Sequence, residues 1–521
     1  MVRSSRFLFL RLLVLGLTLA SVNSLRILGL FPYRAMSHFQ VTLPLTRGLA
    51  AAGHNVDVLS PFPDHRPPPR YTDYALPGES YYNVYDLHIF ENRNFLLPLL
   101  EFFNLFSFGV DSCNQTLSSQ ALAKILTRPT GYYDVIIMEQ FHTDCLMGVA
   151  YQLKSPVIAL TSSALMPWHY ERMGVPIIPS FIPNFFLGHS HEMSIWGRVS
   201  NWITIHFLKL LYKPFNTLAA DEMLRKRFED PNMPSTADLV KYTSLFFVNQ
   251  HYSFSGPKPL PPNVIEVGGI HLQRSRPLPP YLEHMLNEAE HGVVIISWGS
   301  LIRTSTMPPA KLSGILSAIA RCEQQFIWKW ENDTLPNKPD NLHIVKWLPQ
   351  QDILCHPNVR AFMSHGGMMG TNEAVHCAVP VLGTPIYGDQ FLNIAALVQR
   401  GMAVRVDYDD ISEKTIYNAL QEVLKEKYRI HAKHVALSFN ERPQTPVETA
   451  IWWVEHVAKT GGVLLTQPSS VHMSRFVYYS LDVYLVFIVT VLLLVAACYG
   501  ILRQLCRLKR YIFAQIKFKQ L

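Results

Sequence analysis

Residues Phe362–Gln390 read FMSHGGMMGTNEAVHCAVPVLGTPIYGDQ, and this stretch decides the fold of the chain. The short apolar run Ala361–Met363 at its start is typical of a buried strand, and the polar turn Ser364-His-Gly-Gly367 follows it. A helix is expected from about Met368 to Cys377. Strand, glycine turn and helix in this order direct free backbone N–H groups and a positive helix dipole at one point. The sequence therefore predicts an α/β domain with a diphosphate site at the start of this helix.

Polar side chains at later positions of the stretch complete a candidate sugar-nucleotide site. Glu373 lies two turns into the predicted helix, where a carboxylate can accept hydrogen bonds from both hydroxyls of a ribose. A second apolar run, Pro380–Leu382, leads to a polar turn in which Asp389 and Gln390 suit the hydroxyls of a hexose. The alternative is an ordinary strand and helix, with His365 as a turn residue and Glu373 solvated.

The stretch resembles the signature of the UDP-glycosyltransferases in its F-M-S-H-G-G opening, its Asn-Glu pair and its closing P-I-Y-G-D-Q. The residues of these motifs are most similar to those of the insect branch of the membrane-bound family. The resemblance implies the GT-B architecture, two facing Rossmann-like domains, and a UDP-sugar donor. It also implies that Ser300 contacts phosphate, that Trp347 stacks on uracil and that Gln350 bonds the base or ribose. His365 and Gly367 belong to the same implied site.

Charge is distributed along the chain in a way that excludes a nucleic-acid partner. The 521 residues carry a formal charge of +7, with an apolar fraction of 49%. Nine basic residues lie at the two ends, three before residue 12 and six after residue 502, so removing them from +7 leaves −2 for the body. Basicity confined to the termini indicates membrane topology rather than nucleic-acid binding.

The two ends predict a membrane protein with a single span. Residues 1–24 combine arginines, an apolar run and small residues as a cleavable signal peptide does. Tyr484–Leu502 contains no charge and is long enough to cross a bilayer, and the basic tail 503–521 places the body in the lumen. The tail carries Lys517 and Lys519, which resemble a dilysine retrieval signal of the endoplasmic reticulum.

The body between these ends shows two series of β and α patterns, predicted as domains at 25–256 and 281–460. The proline-rich segment 257–280 is interpreted as a stiff linker. The sequons at Asn114 and Asn332 are consistent with a lumenal body. Its five cysteines show no C-x-x-C spacing and are odd in number, so the sequence implies neither a disulfide framework nor a zinc site. The principal predicted strands are Arg26–Phe31, Asn55–Leu59, Asp134–Met138, Val157–Leu160, Ser244–Asn249, Val293–Ser297, Phe326–Trp330, Leu342–Lys346 and Ala403–Val406.

In the first domain, His38 lies between a predicted parallel strand and the following helix, where such sheets bind ligands. The resemblance implies that His38 is the general base, oriented by an aspartate at the end of a later strand. This chain departs from that pattern. Glu139 occupies the aligned position, one methylene longer, and Asp144 follows a turn later. We favour Glu139 as the partner of His38 and leave Asp144 as the alternative.

No metal or other cofactor is expected, because Ser300, His365 and the helix N-terminus can offset the charge of a diphosphate. Asp407-Tyr-Asp409 matches the metal-binding D-x-D pattern of another glycosyltransferase architecture. Its position between a strand and a helix favours solvated turn carboxylates.

The resemblance implies inverting transfer of a hexose, with glucose favoured over glucuronate, to a hydroxyl of a small lipophilic alcohol or phenol. The aromatic-rich segment 177–215 is interpreted as ordinary core, an acceptor pocket or a membrane-facing helix. A homo-oligomer is compatible with the sequence. The alternative from another class is a catalytically silent, membrane-tethered carrier of lipophilic ligands, although a carrier has no need of His38, Glu373, Asp389 and Gln390.

Overall fold

Two wholly parallel β-sheets organise the body of the chain. A computed structural model describes residues 24–76, 85–91, 97–463 and 465–518. Nearly all of the expected signal peptide and Lys519 of the tail therefore lie outside the described residues. The strands are β1 Arg26–Leu30, β2 Asn55–Ser60, β3 Tyr71–Ala75, β4 Tyr85–Asp86, β5 Val135–Glu139, β6 Val157–Thr161, β7 Thr243–Val248, β8 Val264–Glu266, β9 Val293–Ser297, β10 Ile302–Arg303, β11 Gln325–Lys329, β12 Leu342–Val345, β13 Val359–Ser364, β14 Val381–Gly383 and β15 Ala403–Arg405.

In each sheet, the order in which successive strands are added reverses once, although all strands are parallel. The first sheet has the order β3-β2-β1-β5-β6-β7-β8 and the second β12-β11-β9-β13-β14-β15. The central strands β5, β6, β7 and β9 are buried along their whole length, as expected when helices cover both faces. The order reverses between β1 and β5 and between β9 and β13. Such switch points are where open α/β sheets bind ligands, at the carboxyl ends of the strands.

The helices follow local capping signals. Ser412 and Thr445 each form a capping box with the residue three positions on, and proline begins the helices at Pro280, Pro309 and Pro446. The helices of the body are Met36–Ala51, Leu97–Leu117, Gln120–Ile125, Met147–Leu153, His169–Arg172, Ile195–Tyr212, Leu218–Phe228, Thr236–Leu239, Tyr252–Ser255, Pro280–Glu288, Pro309–Ala320, Gln350–Leu354, Met368–His376, Gln390–Gln399, Glu413–Val423, Glu426–Asn440 and Pro446–Lys459. A π-helical turn, Lys213–Thr217, joins two of them, and 3-10 turns lie at Leu87–Phe90, Val240–Tyr242, Thr304–Thr306 and Tyr408–Asp410.

Two segments connect the sheets in ways that the linear domain boundaries did not anticipate. Strand β4 pairs with β10, and Leu87 is fully buried in the core of the second sheet, so residues 85–91 pack on the second domain. In the opposite direction, the helix Pro446–Lys459 returns to the first domain, where Ala450 joins the core beneath β1. Gly48 permits this approach, because a Cβ there would lie 3.0 Å from Ile451.

The proline-rich segment 257–280 is not only a connector. It contains β8, which pairs with β7 and forms the edge of the first sheet. Val267 and Ile270 behind it are fully buried in the first core. The part of the segment before residue 272 therefore packs on the first domain, a long-range pairing that its proline content conceals.

Two disulfides correct the expectation drawn from cysteine spacing. Cys113 pairs with Cys145, and Cys355 pairs with Cys377, across 32 and 22 residues respectively. The fifth body cysteine, Cys322, is a buried free thiol, which explains the odd number. The paired cysteines meet because the fold brings separate helices and turns together. The local spacing of cysteines in the sequence does not indicate such contacts. His376 lies beside Cys355 and Cys377. The sulfurs of these two cysteines are bonded to each other, so they are not thiolate ligands for a metal ion.

Residues 468–518 form a separate unit. It consists of the 3-10 turn Ser469–His472, the short helix Arg475–Tyr478 and the long helix Leu481–Phe518. The long helix is apolar and long enough to cross a membrane, and Leu481–Ile516 is the candidate span. The helix begins three residues before the predicted span and continues sixteen residues past Leu502, because the basic residues after Leu502 are also helical.

Candidate active site

A cavity of about 900 Å³ lies between the carboxyl ends of the two sheets. The expected site residues that line it are His38, Ser300, Trp347, Gln350, His365, Gly367, Glu373, Asp389 and Gln390. Because His38 comes from the first domain and the others from the second, the cavity joins the two halves of the candidate site. Glu139 lies behind His38, and Asp144 lies elsewhere.

His38 is held by a carboxylate at one ring nitrogen. Its Nδ1 lies 2.6 Å from Oε1 of Glu139, and the two side chains are 13% and 3% exposed. Ser162 Oγ lies 2.8 Å from the same nitrogen, while the rings of Tyr33 and Phe141 contact the imidazole edge to face. A carboxylate at Nδ1 favours the tautomer with its proton there, which leaves the lone pair on Nε2. In that tautomer the ring can accept a proton at Nε2.

Asp144 does not take part in this arrangement. Its carboxylate accepts from both terminal nitrogens of Arg172, at 2.6 and 2.9 Å, and from the hydroxyl of Tyr212 at 2.6 Å. All three side chains are buried. Asp144 is therefore not the partner of His38. It lies past the end of β5, and its side chain contacts the helix His169–Arg172 instead. The negative charge of Asp144 compensates the positive charge of the buried Arg172 guanidinium.

Glycines shape the turn before the helix Met368–His376, which we call the cradle helix. Gly366 has φ +86°, and a Cβ on it would lie 2.5 Å from Ile394. A Cβ on Gly367 would lie 2.6 Å from Nε2 of His365. Only glycine fits both positions, so the backbone N–H groups at the helix N-terminus face the cavity without side chains in the way.

His365 packs between this turn and the turn after β9. Burial, together with the smaller effect of the positive charge of Lys329, lowers the pKa of His365 to about 4. The imidazole is therefore neutral at physiological pH and acts through hydrogen bonding. Ser300 follows Gly299, whose φ of +73° turns the chain toward the cavity. The two turns stand at the switch point between β9 and β13.

Trp347, Gln350 and Glu373 form a second group on the donor side. Trp347 is 65% exposed although it lines the cavity, so its indole offers an open face for stacking. Glu373 is 8% exposed, and its Oε2 accepts a hydrogen bond of 2.5 Å from Nε2 of Gln350. Gln350 therefore orients the carboxylate and leaves Oε1 of Glu373 for other contacts.

The turn Tyr387–Gln390 supplies a third group. Nδ2 of Asn393 donates to Oδ2 of Asp389 and to the carbonyl of Gly366, both at 2.9 Å, which ties this turn to the cradle. Burial raises the pKa of Asp389 to about 6. The side-chain oxygen of Gln390 accepts from the backbone N–H groups of residues 386 and 387, so its amide nitrogen is the group left for a ligand.

Sequence reasoning missed several lining residues. Lys329, at the end of β11, lines the cavity and donates to the carbonyl of Gly299 at 2.9 Å. The sequence signal that could have identified Lys329 as a site residue is its position at the carboxyl end of a parallel strand. His271 lines the cavity from the segment predicted as a linker, and Tyr85 and Phe90 come from residues 85–91. Nothing local in the sequence indicates these three.

The wall on the first-domain side combines aromatic and polar side chains. It contains Phe108, Phe141, Phe185 and Phe186, with Glu101 as a carboxylate among them. The aromatic-rich segment 177–215 thus contributes to the cavity through its phenylalanines. Its helix Ile195–Tyr212 instead exposes apolar side chains to solvent, among them Trp196, Trp202 and Phe207. The core interpretation of that segment holds in part, since Leu208 and Tyr212 are core residues, while the acceptor pocket and the membrane-facing helix stay predictions.

Comparison with known proteins agrees with this arrangement. The chain matches the family described as "UDP-glucoronosyl and UDP-glucosyl transferase" over residues 87–519. It is 34% identical to UDP-glycosyltransferase UGT5 of Dactylopius coccus, covering 96% of this chain and 97% of that protein. It is 28% identical to UDP-glucuronosyltransferase 3A1 of Bos taurus, covering 88% and 89%.

Solved glycosyltransferases share the fold. Phytolacca americana UGT2, complexed with UDP-2fluoro-glucose and pterostilbene, matches with a TM-score of 0.54 at 17% identity, over 83% of this chain and all of that one. A UDP-glucosyltransferase from Polygonum tinctorium matches with a TM-score of 0.57 at 15% identity, over 84% and 100%. The two parallel sheets therefore form a GT-B fold, and the chain is a glycosyltransferase that belongs to the UDP-glucuronosyl and UDP-glucosyl transferase family.

Proposed function

We propose that this enzyme transfers glucose from UDP-glucose to a hydroxyl of a small lipophilic alcohol or phenol, with inversion at the anomeric carbon. The observation that carries this proposal is the contact of 2.6 Å between His38 and Glu139, at a cavity shared with the cradle helix. A histidine with a carboxylate at Nδ1 and a lone pair on Nε2 is an equipped general base.

In the proposed reaction the acceptor hydroxyl gives its proton to Nε2 of His38 as its oxygen bonds to the anomeric carbon. The bond from that carbon to the β-phosphate oxygen breaks, and UDP leaves with the electron pair. Glu139 stabilises the imidazolium that forms. A single displacement converts an α-linked donor into a β-glycoside. A positioned base contributes about 10²–10⁴-fold, and orientation in the cleft contributes further.

The donor side accounts for the charge that develops on UDP. The N-terminus of the cradle helix, neutral His365 and Ser300 offer hydrogen-bond donors to the diphosphate, while Trp347 stacks on uracil and Glu373 accepts from the ribose. Asp389 and Gln390 bind hexose hydroxyls. With these groups in place, the transfer requires no metal or other cofactor, and we expect activity to survive a chelator.

Two observations favour glucose over glucuronate. Lys329, one of the two cationic side chains among the described cavity residues, is held by the carbonyl of Gly299 and by Glu331 at 3.4 Å, and Arg276, the other, comes from the segment 257–280 and not from the turn that carries Asp389. Asp389 would moreover repel a carboxylate on the sugar. The relative called UDP-glucosyltransferase 2 of Dactylopius coccus is 34% identical over 92% of this chain, which supports the same choice.

The acceptor class follows from the wall opposite the donor. Four phenylalanines offer stacking and apolar contact to a flat, weakly polar molecule. We further propose that the enzyme is anchored in the endoplasmic-reticulum membrane by the helix Leu481–Phe518, with its body in the lumen. Protection of the body from protease in sealed microsomes, lost when detergent is added, is the expected result.

The donor and the stereochemistry are tested together. The full-length protein in detergent is incubated with UDP-glucose or UDP-glucuronate and a panel of phenols, and the anomeric proton coupling of each product is measured by NMR. We expect β-glucosides, with UDP-glucuronate much the poorer donor. An α-glycoside would contradict the single displacement, and preferred use of UDP-glucuronate would contradict the donor. Absence of both transfer and UDP binding would favour the carrier function.

A further inference from the structure

His271 is a cavity residue from outside the second domain. It follows the turn Gly268-Gly269, where Gly269 has φ +82° and donates its N–H to the side-chain oxygen of Asn249 at 3.2 Å. The carbonyl of Gly268 accepts from Arg442 at 2.8 Å. These contacts fix the start of the segment that carries His271, and its side chain, 5% exposed, lines the cavity.

The imidazole of His271 faces the carboxylate of Glu373. Its Nε2 lies 3.6 Å from Oε1 of Glu373, which is too long for a direct hydrogen bond. Neither ring nitrogen of His271 has a hydrogen-bond partner within the described part of the chain. His54, which is fully buried, differs: its two nitrogens contact the backbone N–H of Leu25 and the carboxylate of Glu455, each at 3.2 Å. A buried polar group without a partner is costly, so a ligand hydroxyl that joins the pair at 3.6 Å would be bound favourably.

We propose that His271 binds one ribose hydroxyl of the UDP-sugar while Oε1 of Glu373 accepts from the other. This inference rests on the proposed function, since it requires that Glu373 receives the ribose. Gln350 already occupies Oε2 of Glu373, so the open side of the carboxylate is the side that His271 faces. A vicinal diol presents two hydroxyls at a spacing that suits a carboxylate oxygen and a nearby imidazole nitrogen.

Donor binding then involves both domains. His271 is tied to the first sheet through Asn249, whose side-chain oxygen also accepts from Asn372 of the cradle helix at 3.3 Å. The amide nitrogen of Asn249 donates to the carbonyl of Ser162, whose hydroxyl contacts His38. A ribose held between Glu373 and His271 therefore bridges the cradle helix and the domain that carries the base.

The test compares nucleotides that lack one hydroxyl. Binding of UDP, 2′-deoxy-UDP and 3′-deoxy-UDP to the full-length protein in detergent is measured by calorimetry for the wild type, His271→Ala and His271→Gln. His343→Ala is the control, because that histidine lies outside the cavity and contacts Gln325. We expect the wild type to lose about tenfold in affinity for each missing hydroxyl and His271→Ala to lose about tenfold for UDP.

The decisive result is non-additivity. For one of the two deoxy nucleotides, His271→Ala and His271→Gln should bind about as well as the wild type does, because the lost partner is already absent. Equal weakening for all three nucleotides would overturn the assignment. Wild-type protein that fails to bind UDP would instead contradict the proposed function before any variant is considered. Thermal unfolding of each variant shows whether it is folded, and His271→Gln serves if the alanine variant is not.

Discussion

His38 and Glu139, 101 residues apart in the chain, lie 2.6 Å apart between Nδ1 and Oε1. Their meeting follows from the sheet, because β1 and β5 are parallel neighbours and both residues lie near the carboxyl ends of these strands. The glutamate reaches the position that the resemblance gives to a shorter aspartate. This contact supports the proposed base and leads to the first prediction.

Replacing Glu139 by glutamine should lower kcat with little change in the KM for UDP-glucose. An amide with its NH2 group toward Nδ1 donates to that nitrogen and favours the imidazole proton on Nε2, which removes the lone pair that would take the proton of the acceptor hydroxyl. We expect a loss of about 10²–10⁴-fold in steady-state assays, as for other histidines deprived of their carboxylate. Glu139→Asp should recover part of the rate. A glutamine variant with kcat within twofold of the wild type would refute this orienting role.

Asp144→Ala should affect stability rather than catalysis. The substitution leaves the buried guanidinium of Arg172 without its carboxylate, which costs about 3–5 kcal/mol in buried pairs of this kind. Thermal unfolding should therefore occur at a clearly lower temperature than in the wild type and in Glu139→Gln. The KM values of the folded fraction should stay close to normal. An unchanged unfolding temperature combined with a large loss of kcat would indicate a catalytic role instead.

Asp389→Asn should stabilise the unliganded protein at neutral pH. Burial raises the pKa of Asp389 from 3.8 to about 6, so the folded state binds the proton more tightly than the unfolded state. The ionised carboxylate therefore opposes folding above about pH 6, and this penalty disappears as pH falls toward 4. Allowing for partial exposure, we expect a gain on the order of 1 kcal/mol in the free energy of unfolding at pH 7.5.

The same measurement at pH 4 supplies the control for Asp389. The difference between Asp389→Asn and the wild type should be much smaller there, because the carboxyl is then protonated in the folded state and partly protonated in the unfolded state. Denaturant unfolding at pH 7.5 and at pH 4 measures the difference in the free energy of unfolding between the variant and the wild type. A difference that is equal at pH 7.5 and pH 4 would show that the change acts through packing and not through ionisation.

Trp347→Ala should weaken UDP binding without lowering stability. The indole is 65% exposed, so little core packing is lost. Stacking of a base on an aromatic side chain contributes about 1–3 kcal/mol, which corresponds to roughly 5–150-fold in Kd. Trp347→Phe should retain most of the affinity. Calorimetry with UDP measures the effect, and an alanine variant with wild-type affinity would exclude stacking at this position.

Local patterns in the sequence were sufficient to predict much of the fold. The strand Val293–Ser297 has the predicted bounds, and the strand, glycine turn and helix around His365 form as expected. These elements depend on hydrophobic period, turn residues and caps that lie within about twenty residues of one another. The same local signals predicted His38 between β1 and the following helix, and it lies in the first turn of that helix, Met36–Ala51.

Contacts between distant segments could not be predicted in this way. The return of the helix Pro446–Lys459 to the first domain and the docking of residues 85–91 on the second arise from packing across the fold. The pairs Cys113–Cys145 and Cys355–Cys377 have the same origin. His271 is a further case, since a histidine in a proline-rich segment shows no local sign that it faces Glu373.

The central claim is that His38 takes the proton from the acceptor while the second domain holds UDP-glucose. It is tested most directly by single-turnover glucosyl transfer in the wild type and His38→Ala, with UDP affinity measured on the same samples. We predict that the rate falls by about 10²–10⁴-fold while the Kd for UDP stays within about twofold. Near-normal turnover in His38→Ala would contradict the claim.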